Sequence, residues 1–218
     1  MNYKIKRVAL IGVFSALAYV FVLIGRIPIS SVEFLKYDPK DIVVAICGFI
    51  LGPLPALIVT VVSSLIEMLT VSTTGFIGLV MNILSTAAFA LPASFIYTKK
   101  RKLSGAVYGL ICGVLLMAAV MLLWNYLITP IYMGMPRDAI TDMLLPVFLP
   151  FNIIKGGLNA AFTMLLYKPI VTAMRKAHLV EDAENGGKIK IFNVWTVIIS
   201  LFVIAVCVLC VLAIKNII

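Results

Sequence analysis

Three polar side chains stand on one stripe of an otherwise apolar stretch. Asn152, Lys155 and Asn159 lie within Leu145–Tyr167, and at about 100° per residue they fall within roughly 60° of one another on a helix. That stretch is long enough to cross a bilayer. An ammonium inside a membrane span costs at least ~2.5 kcal/mol at the helix centre and characteristically faces a cavity or a partner. Lys155 follows Leu145 by ten residues, about 15 Å along a helix; if Pro150 marks the first turn, the lysine sits shallower. Two amides and one cation on a stripe can grip a polar ligand by hydrogen bonds. The alternative is that Lys155 snorkels or pairs with a buried acid, for which Glu67 is a candidate.

Composition limits what such a stripe can belong to. The chain has 218 residues, 63% hydrophobic and 12% charged, with a mean hydropathy of +1.15. This describes an all-α polytopic membrane protein with no room for an appended soluble enzyme. The net charge of +9 lies between the apolar segments rather than in one patch, which argues for membrane orientation and against nucleic acid. Cys47, Cys112, Cys207 and Cys210 all lie in apolar surroundings. The CxxC spacing of the last two has no His beside it, so buried thiols acting as small apolar residues are expected, not a metal or redox centre. No P-loop, HExxH or GxSxG is present, and no paired acids stand at a useful helical spacing, so neither catalysis nor ATP hydrolysis is expected of this chain.

Seven spans can be drawn. The first covers Val8–Gly25 and is too long for a cleaved signal peptide; Gly12 and Ala16, with Ala9 and Ser15, form a small-residue face that permits close helix contact, inside the protein or with a partner. Residues 26–40 form a polar loop containing aromatic groups, either a lid or a solvated connector. A short span, Asp41–Leu51, ends at Gly52-Pro53-Leu54-Pro55; eleven residues cannot cross ~30 Å, so it is either re-entrant or continuous with the next across a kink. The third span, Ala56–Thr70, carries Thr60, Ser63, Ser64 and Glu67 on one face, with Glu67 either inward or exposed near the outer end. The fourth is Phe76–Tyr97, the fifth Leu103–Ile128, and residues 129–142 read as a loop. The sixth contains Lys155. A polar linker at 177–190, containing His178 as a surface residue, precedes the seventh, Ile191–Ile214, which carries no charge and reads as an anchor.

Orientation follows from the basic residues. With the N-terminus inside and seven alternating spans, twelve of the eighteen fall inside and five outside, with Lys155 within the membrane. The block Lys99–Lys102 is the strongest internal marker. The N-terminus is then cytoplasmic and the C-terminus outside, and the lid loop, Asn125 and Asn152 all face outward. Asn82, Asn125, Asn152 and Lys155, framed by Trp124, Tyr126, Phe148 and Phe151, would line an outward pocket suited to a flat hydrogen-bonding ring with a polyol tail.

These features resemble a known family, the substrate-binding S components of energy-coupling factor (ECF) vitamin transporters, most closely the riboflavin-specific type. The resemblance covers about residues 5–176. It rests on the small-residue first span, Glu33-Phe34-Leu35-Lys36-Tyr37-Asp38 with Asp41, Gly52-Pro53, Gly78-x-x-x-Asn82, and Phe151-Asn152-x-x-Lys155. It implies a six-helix bundle at residues 1–176, to which this chain adds a C-terminal helix at 191–218. It implies riboflavin as transported ligand rather than cofactor, contacted by Asn82, Asn125, Asn152 and Lys155 and covered by Leu35 and Lys36. It implies docking through Gly12 and Ala16 on a membrane-embedded coupling subunit, itself joined to two ATPases, in the cell membrane. The alternatives are the same scaffold for another vitamin, such as thiamine or pantothenate, and a small intramembrane enzyme acting on a lipid or prenyl group.

Overall fold

The computed structural model describes residues 3–29, 32, 35–177 and 194–214. In chain order these form α1 (Tyr3–Gly25), β1 (Ile27–Pro28), β2 (Lys36–Tyr37), α2 (Lys40–Leu51), α3 (Pro53–Thr70), α4 (Gly75–Lys100), α5 (Leu103–Leu127), α6 (Thr129–Met133), α7 (Arg137–Met143), a π-helical turn (Leu144–Phe148), α8 (Leu149–Lys176) and α9 (Val194–Ile214). Six of the described helices are long and apolar enough to cross a membrane, α7 to α8 counting as one. The expected all-α polytopic bundle is thus present. The linker residues 178–190, His178 among them, lie outside the described residues, as do Glu33 and Phe34.

α2 is not among the six, and its course settles how a short span fits. Its twelve residues cover only about 18 Å. The chain then reverses at Gly52, whose φ of 97° is a left-handed conformation costly for any side chain, and Pro53 opens α3 at a position where its missing N–H is no loss. α2 and α3 therefore lie antiparallel, with Lys40 at the start of one meeting Ser64 and Glu67 near the end of the other. This excludes both a re-entrant loop and a helix merely kinked into its neighbour. Residues Lys40 to Phe49 are all buried, so α2 is the inner post around which the longer helices pack.

α4 and α5 make the closest pair. A Cβ at Gly109 would come within 2.8 Å of the Ala93 carbonyl oxygen, and one at Gly113 would strike the Phe89 carbonyl; only glycine lets the backbones approach so far. At the end carrying Lys99–Lys102, Phe49, Tyr97 and Tyr167 form an aromatic triad with centroids 4.5 to 5.4 Å apart, and the two tyrosine hydroxyls hydrogen-bond. Arg7 donates to the Leu51 carbonyl at 3.2 Å there, tying α1 to the end of α2.

Two expectations need correction at the opposite end. Residues 129–142 are not a loop: Thr129-Pro130 and Pro136-Arg137 start the short helices α6 and α7, because proline is favoured at the first turn. And α9 is more than an anchor, since Cys207 is buried and Val203 and Ile204 pack on the cluster around Phe148, Phe151 and Leu158.

Candidate functional site

The side chains that meet inside the bundle form one polar network. Lys155 on α8 does not pair with Glu67. Its Nζ lies 3.4 Å from Asp41 Oδ2 and 3.4 Å from Ser85 Oγ. Asp41 is wholly buried, and it also accepts from Thr86 Oγ1 at 2.6 Å and from Asn159 Nδ2 at 3.1 Å. The helical geometry is simple: Ser85 and Thr86 are neighbours on α4, while Lys155 and Asn159, four apart, share a face of α8. Asp41 opens α2 between them. Three contacts around one carboxylate, and a hydroxyl beside the ammonium, compensate the desolvation of a buried charge pair.

Glu67 belongs to a second cluster nearer the end of the bundle. Its Oε2 lies 2.5 Å from Lys40 Nζ, its Oε1 lies 3.4 Å from Arg26 Nη2, and it accepts from Asn82 Nδ2 at 2.9 Å. Lys40 also faces Asp38 at 3.4 Å. Glu67 and Lys40 are both fully buried, so the alternative of an exposed Glu67 falls. Asn159 Nδ2 reaches the Asp38 carbonyl at 3.3 Å, joining this cluster to the first. Burial acts to raise the Asp38 carboxyl, but Lys40, Lys155, the Lys40 backbone amide and Arg26 outweigh it and hold the group below its ordinary value.

The covering segment packs onto this network. β1 and β2 pair antiparallel, Ile27 with Tyr37 and Pro28 with Lys36, closing the base of the loop. Leu35, Tyr37 and Asp38 are buried, so this end of the loop is packed rather than solvated. Leu35 and Tyr37 join Phe148, Phe151, Ile154 and Leu158 in a single apolar cluster, while Lys36 is half-buried. Burial, then Asp41, Asp38 and Cys207, push the Tyr37 phenol above its ordinary value, so it remains a donor.

Of the six residues assigned to ligand contact, Asn82 and Lys155 share the network and Leu35 lies over the adjoining face of α8. Lys36 stands beside them. Asn125 and Asn152 are buried but bonded elsewhere: Asn125 Oδ1 accepts from Thr129 Oγ1 at 2.9 Å, and Asn152 Nδ2 donates to the Phe148 carbonyl at 2.8 Å, across the end of the π-helical turn. Trp124 lines a cleft with Gly78, Met81 and Thr129, whereas Tyr126 lies outside beneath Arg137. That cleft measures about 10 Å³, space for about one water. A flavin-sized cavity of the expected kind is not open there.

Among the described residues, four buried polar atoms lack a protein partner: Arg26 Nε, Tyr37 Oη, Asn125 Nδ2 and Asn159 Oδ1. Such atoms are costly unless a ligand or water meets them. Sequence reasoning placed Asn159 on the polar stripe without assigning it a contact, and it missed Asp41, Thr86 and Lys40 as partners; only the charged and polar residue types at those positions hinted at them.

On α1, Gly12 and Ala16 are exposed and a Cβ at Gly12 would meet open space. Ala9 shares that surface, but Ser15 turns inward and bonds the Ile11 carbonyl.

Residues 6–167 match the family model described as ECF transporter, substrate-specific component. The chain is 28% identical over 188 residues to the riboflavin transporter FmnP of Bacillus subtilis (strain 168), across 81% of this chain and 99% of that protein. It is 30% identical over 179 residues to the riboflavin transporter RibU of Staphylococcus aureus (strain TCH60), across 78% of this chain and 93% of that protein. A solved structure described as the S component of a bacterial ECF transporter superposes with a TM-score of 0.68 at 29% identity, covering 79% of this chain and 99% of that one.

Proposed function

The chain belongs to the family of substrate-specific components of ECF transporters, and from that premise we propose that it captures riboflavin outside the cell for ATP-driven import. The family is one of substrate-binding transporter components, not of enzymes. The observation that carries the ligand reading is the set of partnerless buried atoms, Asn125 Nδ2, Asn159 Oδ1 and Tyr37 Oη, together with the Lys155 ammonium fixed by Asp41. They offer two donors, one acceptor and a cation, which match the carbonyls, ring nitrogens and imide N–H of a flavin. Leu35, Phe148 and Phe151 supply apolar surface for its rings. Two relatives carrying the name riboflavin transporter support the same ligand.

Asn82, Asn125, Asn152, Lys155, Leu35 and Lys36 remain the proposed contacts, to which Asn159 and Tyr37 are added. Asn82 already donates its amide N–H to Glu67, so it has its carbonyl oxygen to offer. Leu35 and Tyr37 are packed in one cluster with Phe151, Ile154 and Leu158 of α8, so entry requires the Leu35–Tyr37 segment to separate from α8. The basic residues favour a cytoplasmic N-terminus and put the covering segment outside. Energy comes from a coupling subunit and two ATPases, with Gly12 and Ala16 on the docking face.

Riboflavin titrated into detergent-purified protein should lose its fluorescence at sub-micromolar concentration. Absence of quenching, with saturable binding of thiamine or pantothenate instead, would assign the scaffold to another vitamin.

A further inference from the structure

α9 lies beyond residues 6–167, the stretch that matches the family. Most of its side chains face outward, as for a lipid-exposed helix. One face does not. Cys207 is buried in the same cluster as Leu35 and Tyr37 of the covering segment and Phe151, Ile154 and Leu158 of α8, with Val203 and Ile204 packed beside it. The contact depends on Gly157: a Cβ there would lie 3.2 Å from Cys207 Sγ and 3.9 Å from Val203 Cγ1. The absence of a side chain at position 157 is what lets α9 seat this deeply against α8.

The position matters because the covering segment must lift for a ligand to enter or leave. Without α9, this edge of the cluster would be covered by lipid, which yields readily. With α9 in place, it is covered by a helix packed at van der Waals distance. A packed wall resists the displacement that release demands.

We propose that α9 is a retaining wall of the ligand site, whose Val203–Cys207 face positions Leu35 and Tyr37 against α8 and slows ligand release. The proposal rests on the riboflavin reading. Its test uses the full chain and measures riboflavin association and dissociation rates by stopped-flow flavin fluorescence. In a background with Cys112→Ser and Cys210→Ser, Gly157→Cys places a thiol close enough to Cys207 for a disulfide. Oxidation should lock α9 to α8 and slow dissociation several-fold relative to the same protein reduced, with little change in association. Conversely, Gly157→Leu should pry the helices apart and speed dissociation about tenfold. Because oxidised and reduced forms are one folded protein, a general folding defect cannot mimic the first result. Equal dissociation rates in the two forms, or failure of the disulfide to form, would overturn the retaining role. Failure of riboflavin to bind the unaltered chain would instead overturn the ligand reading.

Discussion

Two buried charge clusters lie side by side in this bundle, and they differ in what they leave over. Around Glu67, the two carboxylate oxygens receive Lys40, Arg26 and Asn82, and Lys40 has Asp38 as a second acid. Around Asp41, one ammonium and two neutral donors satisfy the carboxylate, yet Asn159 keeps a buried carbonyl oxygen with no partner. The first cluster spends the capacity of its acid on the fold, and its spare donor, Arg26 Nε, belongs to a side chain 24% exposed at the rim. The second keeps some in reserve. Buried charge alone therefore does not distinguish a binding site from a structural tie in a membrane bundle; an unpaired atom on a wholly buried side chain does.

The largest effect expected from this contrast is on stability. Glu67→Ala leaves Lys40 buried with only Asp38 and Arg26 without its acid, and losing one partner of a buried pair costs about 3–5 kcal/mol. The melting temperature should fall by roughly 10 °C, while riboflavin affinity of the folded fraction should hold. Affinity falling alone would place Glu67 in the site and dissolve the contrast.

Lys155→Ala should act the other way. A charge-assisted hydrogen bond to ligand is worth about 1.5–3 kcal/mol, so riboflavin should bind roughly ten- to hundredfold more weakly. Asp41 keeps Thr86 and Asn159, so folding should survive. Unchanged affinity, measured by fluorescence titration, would make Lys155 a structural partner of Asp41.

A smaller loss, about fivefold, is expected for Asn159→Ala, which removes a spare buried acceptor, a neutral bond worth ~1 kcal/mol. Calorimetric titration against riboflavin checks it; an effect confined to melting temperature would mean Asn159 serves only to tie Asp38 to Asp41.

The smallest effect on the purified protein is expected from Gly12→Trp and Ala16→Trp. Both lie on the exposed face of α1, so affinity should not change. Cellular uptake and recovery of the coupling subunit with the chain should fall together. Full uptake by both variants would move docking to another surface.

Much of this architecture was legible in the chain, because hydropathy marks spans and 3.6-residue periodicity marks the stripe of Asn152, Lys155 and Asn159. What pairs with the stripe was not. Lys155 and Asp41 are 114 positions apart, and no local pattern encodes a contact closed by packing. Glu67 was the visible intramembrane acid, so it drew the assignment. Asp41 and Lys40 sat at a span's edge, where charges usually meet water, and their burial follows only from the turn at Gly52 that folds α2 inside. The short helices α6 and α7 were hidden for a different reason: fifteen residues broken by two prolines and a glycine carry little periodicity of their own.

The enclosure of α2 also bears on how the chain enters a bilayer. A twelve-residue segment beginning with Lys40 and Asp41 has neither the length nor the polarity to partition by itself. It gains both when it arrives paired with α3, because Glu67 then neutralises Lys40 and the hairpin needs no aqueous loop at Gly52. α2 and α3 should therefore leave the insertion machinery as one unit. Asp41 is then held without its ammonium until Lys155 of α8, 114 residues later in synthesis, completes the pair.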